Sequence, residues 1–316
     1  MKPYVVTVTL NPAIDKTIVV ESLTVGEVNR VKSSRLDAGG KGINVAKVLQ
    51  QFAVEVTATG FIGGAQGQLL HQYLAAEQIG VDFLEVPGET RTNLKIVDDS
   101  TGITTEVNEA GFTVASSELE RLKEKLAGLL EGGSFLVLSG SLPPCTSHAI
   151  YRELIEMACS KGVKTILDAD GEALQEGIKA APFAIKPNIH ELEKLVGRPL
   201  PDTAAILQAA SAILAQGVSL MIVSMGAKGA VIVDQTQAFW AKTGTILPGS
   251  TVGAGDSMVA ALVYAWRRRF SLAQIAQWVT AAGTVTASKA GTQVCSMAEV
   301  KAFMDQVGIE PLRRLP

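Results

Sequence analysis

Short apolar runs rich in valine, isoleucine and leucine recur along the first two thirds of the chain, and they constrain its fold more than any other feature. The runs lie at 4–10, 56–61, 135–139, 164–168, 183–186 and 220–224. Between them, apolar residues recur at helical spacing in the segments 42–52, 67–77, 116–131, 147–161 and 202–215. Strands that are apolar on both faces are typical of parallel sheets covered by helices. The alternation therefore predicts an α/β fold with a mostly parallel sheet and helices on both faces.

Two regions, 17–35 and 91–107, break this alternation, since each has the pattern of short strands with alternating polarity. We expect them to form a small antiparallel sheet that is separate from the main one. After Gly253 the chain is predicted to be mainly helical to its end, with the last helices at 271–290 and 296–307. No low-complexity linker divides the chain. Residues 1–316 are therefore predicted to form one domain, with the small-sheet strands inserted at about 16–36 and 91–108.

Composition argues against several classes of function. The chain is 47% hydrophobic and 19% charged, so it can bury a large core. Its net charge of −3 gives no electrostatic argument for binding to nucleic acid or to an anionic membrane. No apolar run reaches the ~18 residues of a membrane span, and the N-terminus lacks the pattern of a signal peptide. The three cysteines are widely spaced and odd in number, which predicts free thiols in a reducing, cytoplasmic environment.

The segment 250–257, Ser-Thr-Val-Gly-Ala-Gly-Asp-Ser, carries the strongest chemical signal. It directly precedes the apolar run 258–263, so residues 253–255 are expected to form the first turn of a buried helix. A helix start presents unpaired N–H groups and the positive end of the helix dipole, and glycines let an anion approach them closely. Asp256 is then close enough to such an anion to accept a proton beside it. This pairing suits phosphoryl transfer to a hydroxyl, although a plain tight turn would also explain the glycines.

Four further segments place polar residues at strand ends or glycine turns. They are Asn11-Pro12-Ala13-Ile14-Asp15, Gly39-Gly40-Lys41-Gly42-Ile43-Asn44, Ser139-Gly140-Ser141-Leu142-Pro143 and Lys186-Pro187-Asn188-Ile189-His190-Glu191. The turn at Lys41 is not a Walker A loop, because neither Ser nor Thr follows the lysine. Asn188 and Glu191 have the spacing of a helix capping box, which would by itself explain both residues. The glycine turn 224–229 separates two predicted strands and would, on structure alone, be a hairpin.

In this order, N-P-x-x-D, G-G-K-G-x-N, S-G-S-L-P, K-P-N-x-x-E and T-V-G-A-G-D-S, the motifs resemble those of the ribokinase-like (PfkB) family of carbohydrate kinases. The resemblance runs from about residue 5 to residue 294 and is greatest to the phosphosugar branch. It implies that the small sheet is a lid over the sugar site, through which two subunits pair as a homodimer. It also implies ATP and Mg²⁺ as cofactors and a potassium site, for which the carbonyl groups of Ser250 and Val252 are candidates.

The resemblance gives each motif a role. Asp256 is the general base, and Gly253, Ala254 and Gly255 form the anion hole for the γ-phosphate. The sugar phosphate is bound by Asp15, Gly39, Gly40, Lys41, Asn44, Arg91 and Ser139. The nucleotide is bound by Lys186, Asn188, Ser224, Gly226, Gly229, Thr251 and Gly283, and Mg²⁺ by Glu191 and Asn188. Lys41 and Arg91 are the candidates for the sugar's own phosphate. An ordinary surface position is the alternative for Arg91, and Arg30 is a weaker candidate.

The implied reaction is ATP-dependent phosphorylation of a ketohexose phosphate, with conversion of fructose 1-phosphate to fructose 1,6-bisphosphate as the favoured case. Tagatose 6-phosphate and fructose 6-phosphate are alternative substrates, because a ketose bisphosphate is nearly pseudo-symmetric. Two other classes stay open. One is a non-catalytic nucleotide-binding protein, and the other is a nicotinamide-dependent dehydrogenase suggested by the glycines in 60–64, where the full G-x-G-x-x-G spacing is missing.

Overall fold

Strands and helices alternate through most of the chain, of which the computed structural model describes residues 4–244 and 249–313. The helices are α1 (Lys41–Gln51), α2 (Gly64–Ala76), α3 (Ser116–Leu129), α4 (Ile150–Ser160), α5 (Gly171–Ile178), α6 (Ile189–Val196), α7 (Thr203–Leu214), α8 (Ala254–Arg267), α9 (Leu272–Ala287) and α10 (Met297–Phe303). The strands are β1 (Val5–Thr9), β2 (Ala13–Val20), β3 (Val31–Gly39), β4 (Val56–Ile62), β5 (Gly80–Val81), β6 (Leu84–Glu85), β7 (Arg91–Asp98), β8 (Thr104–Asn108), β9 (Phe135–Ser139), β10 (Lys164–Asp168), β11 (Ala184–Ile185), β12 (Leu220–Ser224), β13 (Ala230–Asp234), β14 (Ala238–Thr243) and β15 (Val307–Pro311).

The main sheet confirms the predicted α/β architecture. Its strands lie in the order β15-β14-β13-β12-β11-β10-β9-β1-β4-β5, and β6 also pairs with β4. From β12 to β5 all neighbours pair in parallel, and only the edge from β12 to β15 is antiparallel. Strands β1 and β9 are buried along their whole length, as expected for strands that are covered on both faces.

Two hydrophobic clusters cover the two faces of this sheet. One joins the apolar sides of α1, α2, α8, α9 and α10 to alternate strand residues such as Val5 and Val137. The other joins α3 to α7 with the intervening residues, such as Val6 and Leu138. Because successive strand side chains point to opposite faces, each strand contributes to both clusters.

The predicted separate small sheet is also present, with its strands in the order β3-β2-β7-β8. The two hairpin-like pairs, β2–β3 and β7–β8, are antiparallel, whereas the central pair β2–β7 is parallel. The two central strands come from distant parts of the chain, and such strands can pair in either direction. Among residues 4–244 and 249–313, the exposed large apolar side chains lie on these strands or on their connections; they are Val25, Val28, Val31, Leu36, Ile103 and Val107.

The end of the chain differs from the expectation. It was predicted to be mainly helical, but α10 ends at Phe303 and the segment Val307–Pro311 is a strand that pairs antiparallel with β14. Burial of Val307 and packing of Ile309 against the core favour this pairing, which local helical periodicity could not reveal. Within the described residues, no helix is both long and apolar enough to cross a membrane.

Candidate active site

A cavity of about 950 Å³ opens at the carboxyl ends of the parallel strands, where ligands of open α/β sheets bind. The small sheet lines one side of it through residues such as Asp15 and Arg91, and the start of α8 lines the other. Loops that follow β9 to β12 form the floor between the two. The cavity therefore lies between a lid-like sheet and a helix N-terminus.

The start of α8 lines this cavity with Gly253, Ala254 and Gly255, although the N–H of Ala254 already donates to the carbonyl oxygen of Thr251 at 3.3 Å. Gly253 precedes the helix in a left-handed conformation, with φ of 77°, which glycine adopts at little cost. Among the described residues no side chain caps this end. A Cβ atom on Gly255 would lie 3.0 Å from Nζ of Lys186, so glycine leaves room for that ammonium group beside the helix start. Backbone N–H groups, the helix dipole and a cation thus converge on one anion site.

Asp256 lies in the first turn of the same helix and is 5% exposed. Its Oδ2 accepts a 2.8 Å hydrogen bond from Nδ2 of Asn44 on α1. Burial, and next the charge of Asp168, raise the pKa of Asp256 from 3.8 to about 6. The hydrogen bond from Asn44 lowers the pKa again in part. A carboxylate with a pKa just below neutrality is well suited to general base catalysis.

Asp168, at the end of β10, pairs with two lysines near Asp256, and it was not predicted from the sequence. Its Oδ1 pairs with Nζ of Lys41 at 3.2 Å and with Nζ of Lys186 at 3.4 Å. Burial opposes ionisation of Asp168, but the charges of Lys186 and Lys41 outweigh it and hold the pKa of this carboxyl below its ordinary value. Asp168 in turn is the main cause of the raised pKa of Lys41. Its position as the last residue of a predicted strand was the available signal.

Asp15 lies within β2 of the small sheet rather than in a loop after the first strand. Its Oδ1 accepts a 3.0 Å hydrogen bond from Asn93, and its Oδ2 accepts one of 3.0 Å from Lys95 in a buried ion pair. The parallel register of β2 with β7 places Asn93 directly opposite Asp15. A Cβ atom on Gly39 would lie 2.7 Å from the carboxylate, so glycine there leaves room for it. Asn93 and Lys95 were not predicted, because this pairing is set by the tertiary fold.

Arg91 is half-buried at the start of β7 and is not an ordinary surface arginine. Its guanidinium donates to the carbonyl oxygens of Glu109 at 3.1 Å and Asn11 at 3.2 Å, and to Oγ of Ser141 at 3.4 Å. Burial lowers the pKa of Arg91, and the neighbouring carboxylates of Asp15 and Glu109 oppose that shift. An arginine held in this way can still present a charged N–H edge to an anion in the cavity.

Asn188 and Glu191 form the predicted capping box at the start of α6. The side chain of Asn188 accepts from N–H of Glu191 at 2.9 Å, and Oε2 of Glu191 accepts from N–H of Asn188 at 2.8 Å. Both residues also line the cavity, so capping and ligand binding remain compatible. The described residues contain no cluster of three or more His, Cys, Asp or Glu side chains that could hold a metal on its own.

The remaining predicted nucleotide residues line the end of the cavity near α8 and α9. They are Ser224, Gly226, Gly229, Thr251 and Gly283. Gly226 and Gly229 belong to the turn between β12 and β13, which is the predicted hairpin. Gly283 has a packing role as well, because a Cβ atom there would lie 2.8 Å from Cγ of Met258 on α8.

The structure brings nearly all the predicted site residues to this one cavity, and Gly39 and Ser139 are the exceptions. Gly39 packs behind Asp15, and Ser139 is fully buried at the end of β9, while the adjacent Gly140 and Ser141 face the cavity. The glycines near the start of α2, which suggested a dinucleotide turn, include Gly64, which faces the carboxylate of Glu89. Oε1 of Glu89 accepts from N–H of Gln66 at 2.5 Å and so covers this helix start.

Comparison with known proteins shows where the same overall pattern occurs. The family model described as pfkB family carbohydrate kinase matches residues 8–299. The chain is 41% identical over 269 residues to the 1-phosphofructokinase of Xanthomonas campestris pv. campestris, covering 84% of this chain and 85% of that protein. It is 36% identical to the 1-phosphofructokinase of Escherichia coli K12, covering 98% and 99%. The structure of phosphofructokinase-2 from Escherichia coli in complex with potassium has a TM-score of 0.91 at 31% identity, covering 96% and 98%.

Proposed function

This chain belongs to the pfkB family of carbohydrate kinases, and we propose that it transfers the γ-phosphate of ATP to the 6-hydroxyl of fructose 1-phosphate. The products are fructose 1,6-bisphosphate and ADP. The observation that carries the proposal is the pairing of a buried carboxylate, Asp256, with an uncapped helix start in one cavity. The identity of the sugar rests on the relatives, two of which are named 1-phosphofructokinases.

In the chemical step the sugar's 6-oxygen attacks the γ-phosphorus, and the bond between that phosphorus and the bridging oxygen of ADP breaks. The hydroxyl proton passes to a carboxylate oxygen of Asp256. With a pKa of about 6, Asp256 is ionised at neutral pH and ready to accept this proton. Asn44 holds the carboxylate through Oδ2, so its orientation is set before the sugar arrives. The N–H groups at the start of α8 stabilise the charge on the transferring group.

The sugar is held from the small sheet. Asp15 can accept hydrogen bonds from sugar hydroxyls, because each of its oxygens has a second lone pair beside those used by Asn93 and Lys95. Arg91 is the candidate for the sugar's own phosphate, since guanidinium groups bind phosphate in a bidentate manner. Gly40 lines the same part of the cavity. Gly39 and Ser139 lie behind its wall, so they would affect sugar binding through the shape of the cavity and not through direct contact.

The nucleotide is held at the opposite end. Its phosphates would be contacted by Lys186 and Asn188, and its adenine would face Gly283. Between them, phosphate and ribose would be bordered by Ser224, Gly226, Gly229 and Thr251. Glu191 would hold Mg²⁺, because carboxylate oxygen is a preferred ligand of this ion and the ion takes most of its other ligands from phosphates and water. Bound Mg²⁺ neutralises charge on the phosphates. Carbonyl oxygens of Ser250 and Val252 are the candidates for a potassium ion, which the related phosphofructokinase-2 binds.

The apolar outer residues of the small sheet favour a homodimer. Val25 and Val28 are 94% and 87% exposed, and Ile103 and Val107 are also exposed. A second copy of the small sheet would cover such a patch. The described cysteines are all free, which favours the reducing cytoplasm as the site of action.

The test is ADP release from ATP with fructose 1-phosphate, tagatose 6-phosphate and fructose 6-phosphate, with NADH binding as a control for the dehydrogenase reading. Fructose 1-phosphate is expected to give the highest kcat/KM. A higher value for another sugar would reassign the substrate within the family. If nucleotide binds but no sugar phosphate yields ADP, the chain is a nucleotide-binding protein and the proposal fails.

A further inference from the structure

Lys41 shares its nearest carboxylate with Lys186, the lysine that lies beside the start of α8. It is the first residue of α1, and its Nζ lies 3.2 Å from Oδ1 of Asp168. Nζ of Lys186 lies 3.4 Å from that same oxygen. The two ammonium groups therefore flank a single carboxylate oxygen. Because Lys186 also abuts Gly255, this pair of cations adjoins the anion hole at the start of α8.

The position of Lys41 on its helix leads to the same place. Asn44 follows it by three residues, which puts both side chains on one face of α1. Asn44 donates to Asp256, so Lys41 lies one turn from the residue that orients the base. The carboxylates that raise the pKa of Lys41 are Asp168 first, then Asp256 and Glu191.

Arg91 has a different set of neighbours. Its guanidinium contacts Asn11, Glu109 and Ser141, and its neighbouring carboxylates are Asp15 and Glu109. In fructose 1-phosphate the phosphate lies at the opposite end of the sugar from the 6-hydroxyl. A sugar that presents this hydroxyl to Asp256 therefore directs its own phosphate away from the base, and so away from Lys41.

We propose that Lys41 is a catalytic residue that, together with Lys186, holds the transferring phosphoryl group, and that it does not bind the sugar's own phosphate. This inference rests on the proposed function. As the 6-oxygen bonds to the γ-phosphorus and ADP departs, negative charge on the equatorial oxygens lies between two ammonium groups. Neither lysine gives up a proton, since the hydroxyl proton goes to Asp256.

Asp168 is the positioning residue of this arrangement. Two ammonium groups on one side of a cavity repel each other, and the shared carboxylate oxygen holds both in place before the nucleotide binds. Its second oxygen, Oδ2, is buried and has no hydrogen-bond partner among the described residues. The single charge of Asp168 neutralises only one of the two ammonium groups, and Asp256 and Glu191 also act on Lys41 from a greater distance.

The test compares Lys41→Met with Arg91→Met, after wild-type ADP release with fructose 1-phosphate has been measured. The dissociation constant of fructose 1-phosphate is determined by calorimetry without nucleotide, and kcat is determined separately. We expect Lys41→Met to leave this dissociation constant unchanged and to lower kcat by about 10²- to 10³-fold, as loss of one preorganised charge-stabilising donor does. Arg91→Met is expected to weaken sugar-phosphate binding at least about 10-fold, because a charge-assisted contact is lost.

Lys41→Arg keeps the charge and should recover part of kcat, which separates loss of charge from damage to the fold. Thermal unfolding of each variant checks that α1 is intact. Weaker binding of fructose 1-phosphate to Lys41→Met would overturn the inference and return Lys41 to the sugar's phosphate. An unchanged kcat would also overturn it. A wild-type enzyme that binds fructose 1-phosphate but releases no ADP would contradict the proposed function instead, before any variant is compared.

Discussion

Replacing Asp256 with asparagine should stabilise the fold while it removes the proposed general base. Burial, followed by the charge of Asp168, raises the pKa of Asp256 from 3.8 to about 6. When the pKa of a carboxyl group is higher in the folded than in the unfolded protein, the folded protein favours its protonated form. The group then stabilises the fold, and this contribution is complete at pH values below the unfolded pKa. That contribution is lost as the pH rises through the folded pKa. At about 1.36 kcal/mol per pKa unit, the free energy of unfolding of wild type is expected to be about 3 kcal/mol lower above pH 6 than at pH values below the unfolded pKa.

Asparagine pays no such cost, since it does not ionise. Its amide oxygen can still accept the hydrogen bond from Asn44, and the side chain has nearly the same size, so no cavity results and Asn44 keeps its acceptor. The free energy of unfolding of Asp256→Asn should therefore exceed that of wild type by about 3 kcal/mol at pH 8, and by about half as much at pH 5. Urea unfolding of both proteins between pH 5 and pH 8.5 measures this difference. We expect kcat to fall by about 10³-fold or more.

Asp15→Asn is the matched control, because the same substitution there should have the opposite sign. It would leave the buried ammonium of Lys95 without its charged partner and destabilise the fold by about 3 kcal/mol. The reasoning about Asp256 is refuted if Asp256→Asn is less stable than wild type at pH 8, or if its advantage does not grow between pH 5 and pH 7.5. Full activity of Asp256→Asn would refute the assignment of the base.

Three further predictions follow from the same geometry. If Asp256 is the proposed base, it must be ionised to accept a proton, so kcat/KM for fructose 1-phosphate should fall about 10-fold per pH unit below pH 6. A profile that is flat to pH 5 would argue against a pKa of about 6 for this group. Gly255→Ala should lower kcat at least about 10-fold, since the added Cβ would displace Lys186. Stability should not fall, because alanine favours the helix more than glycine does. Gly128→Ala is the control and should keep full activity, because a Cβ there has open space around it. Val28→Asp places a charge in the exposed apolar patch of the small sheet, so it should convert the proposed dimer to a monomer in analytical ultracentrifugation. An unchanged sedimentation coefficient would place the interface elsewhere.

Local pattern was sufficient to predict the layers of this protein. Strands buried on both faces and helices with one apolar side are direct consequences of side-chain periodicity, so the parallel sheet and its helical layers followed from the sequence. The start of α8 was equally predictable, because glycines that precede a buried helix leave its N–H groups accessible. The strand Val307–Pro311 was missed, since its pairing with β14 depends on an edge formed by residues about seventy positions earlier.

Within the site, the sequence by itself determined which chemical groups are available and where each motif enters a helix or strand. Only the tertiary structure decided which of these groups meet. The pairing of β2 with β7 placed Lys95 against Asp15, and the ends of β10 and β11 placed Asp168 between two lysines from distant segments. Such partners are separated by tens to more than a hundred residues, and no local propensity encodes a contact of that range. Charge pairing in a buried site depends on distance in space, which is why the electrostatics of Asp256 could be worked out only from the folded chain.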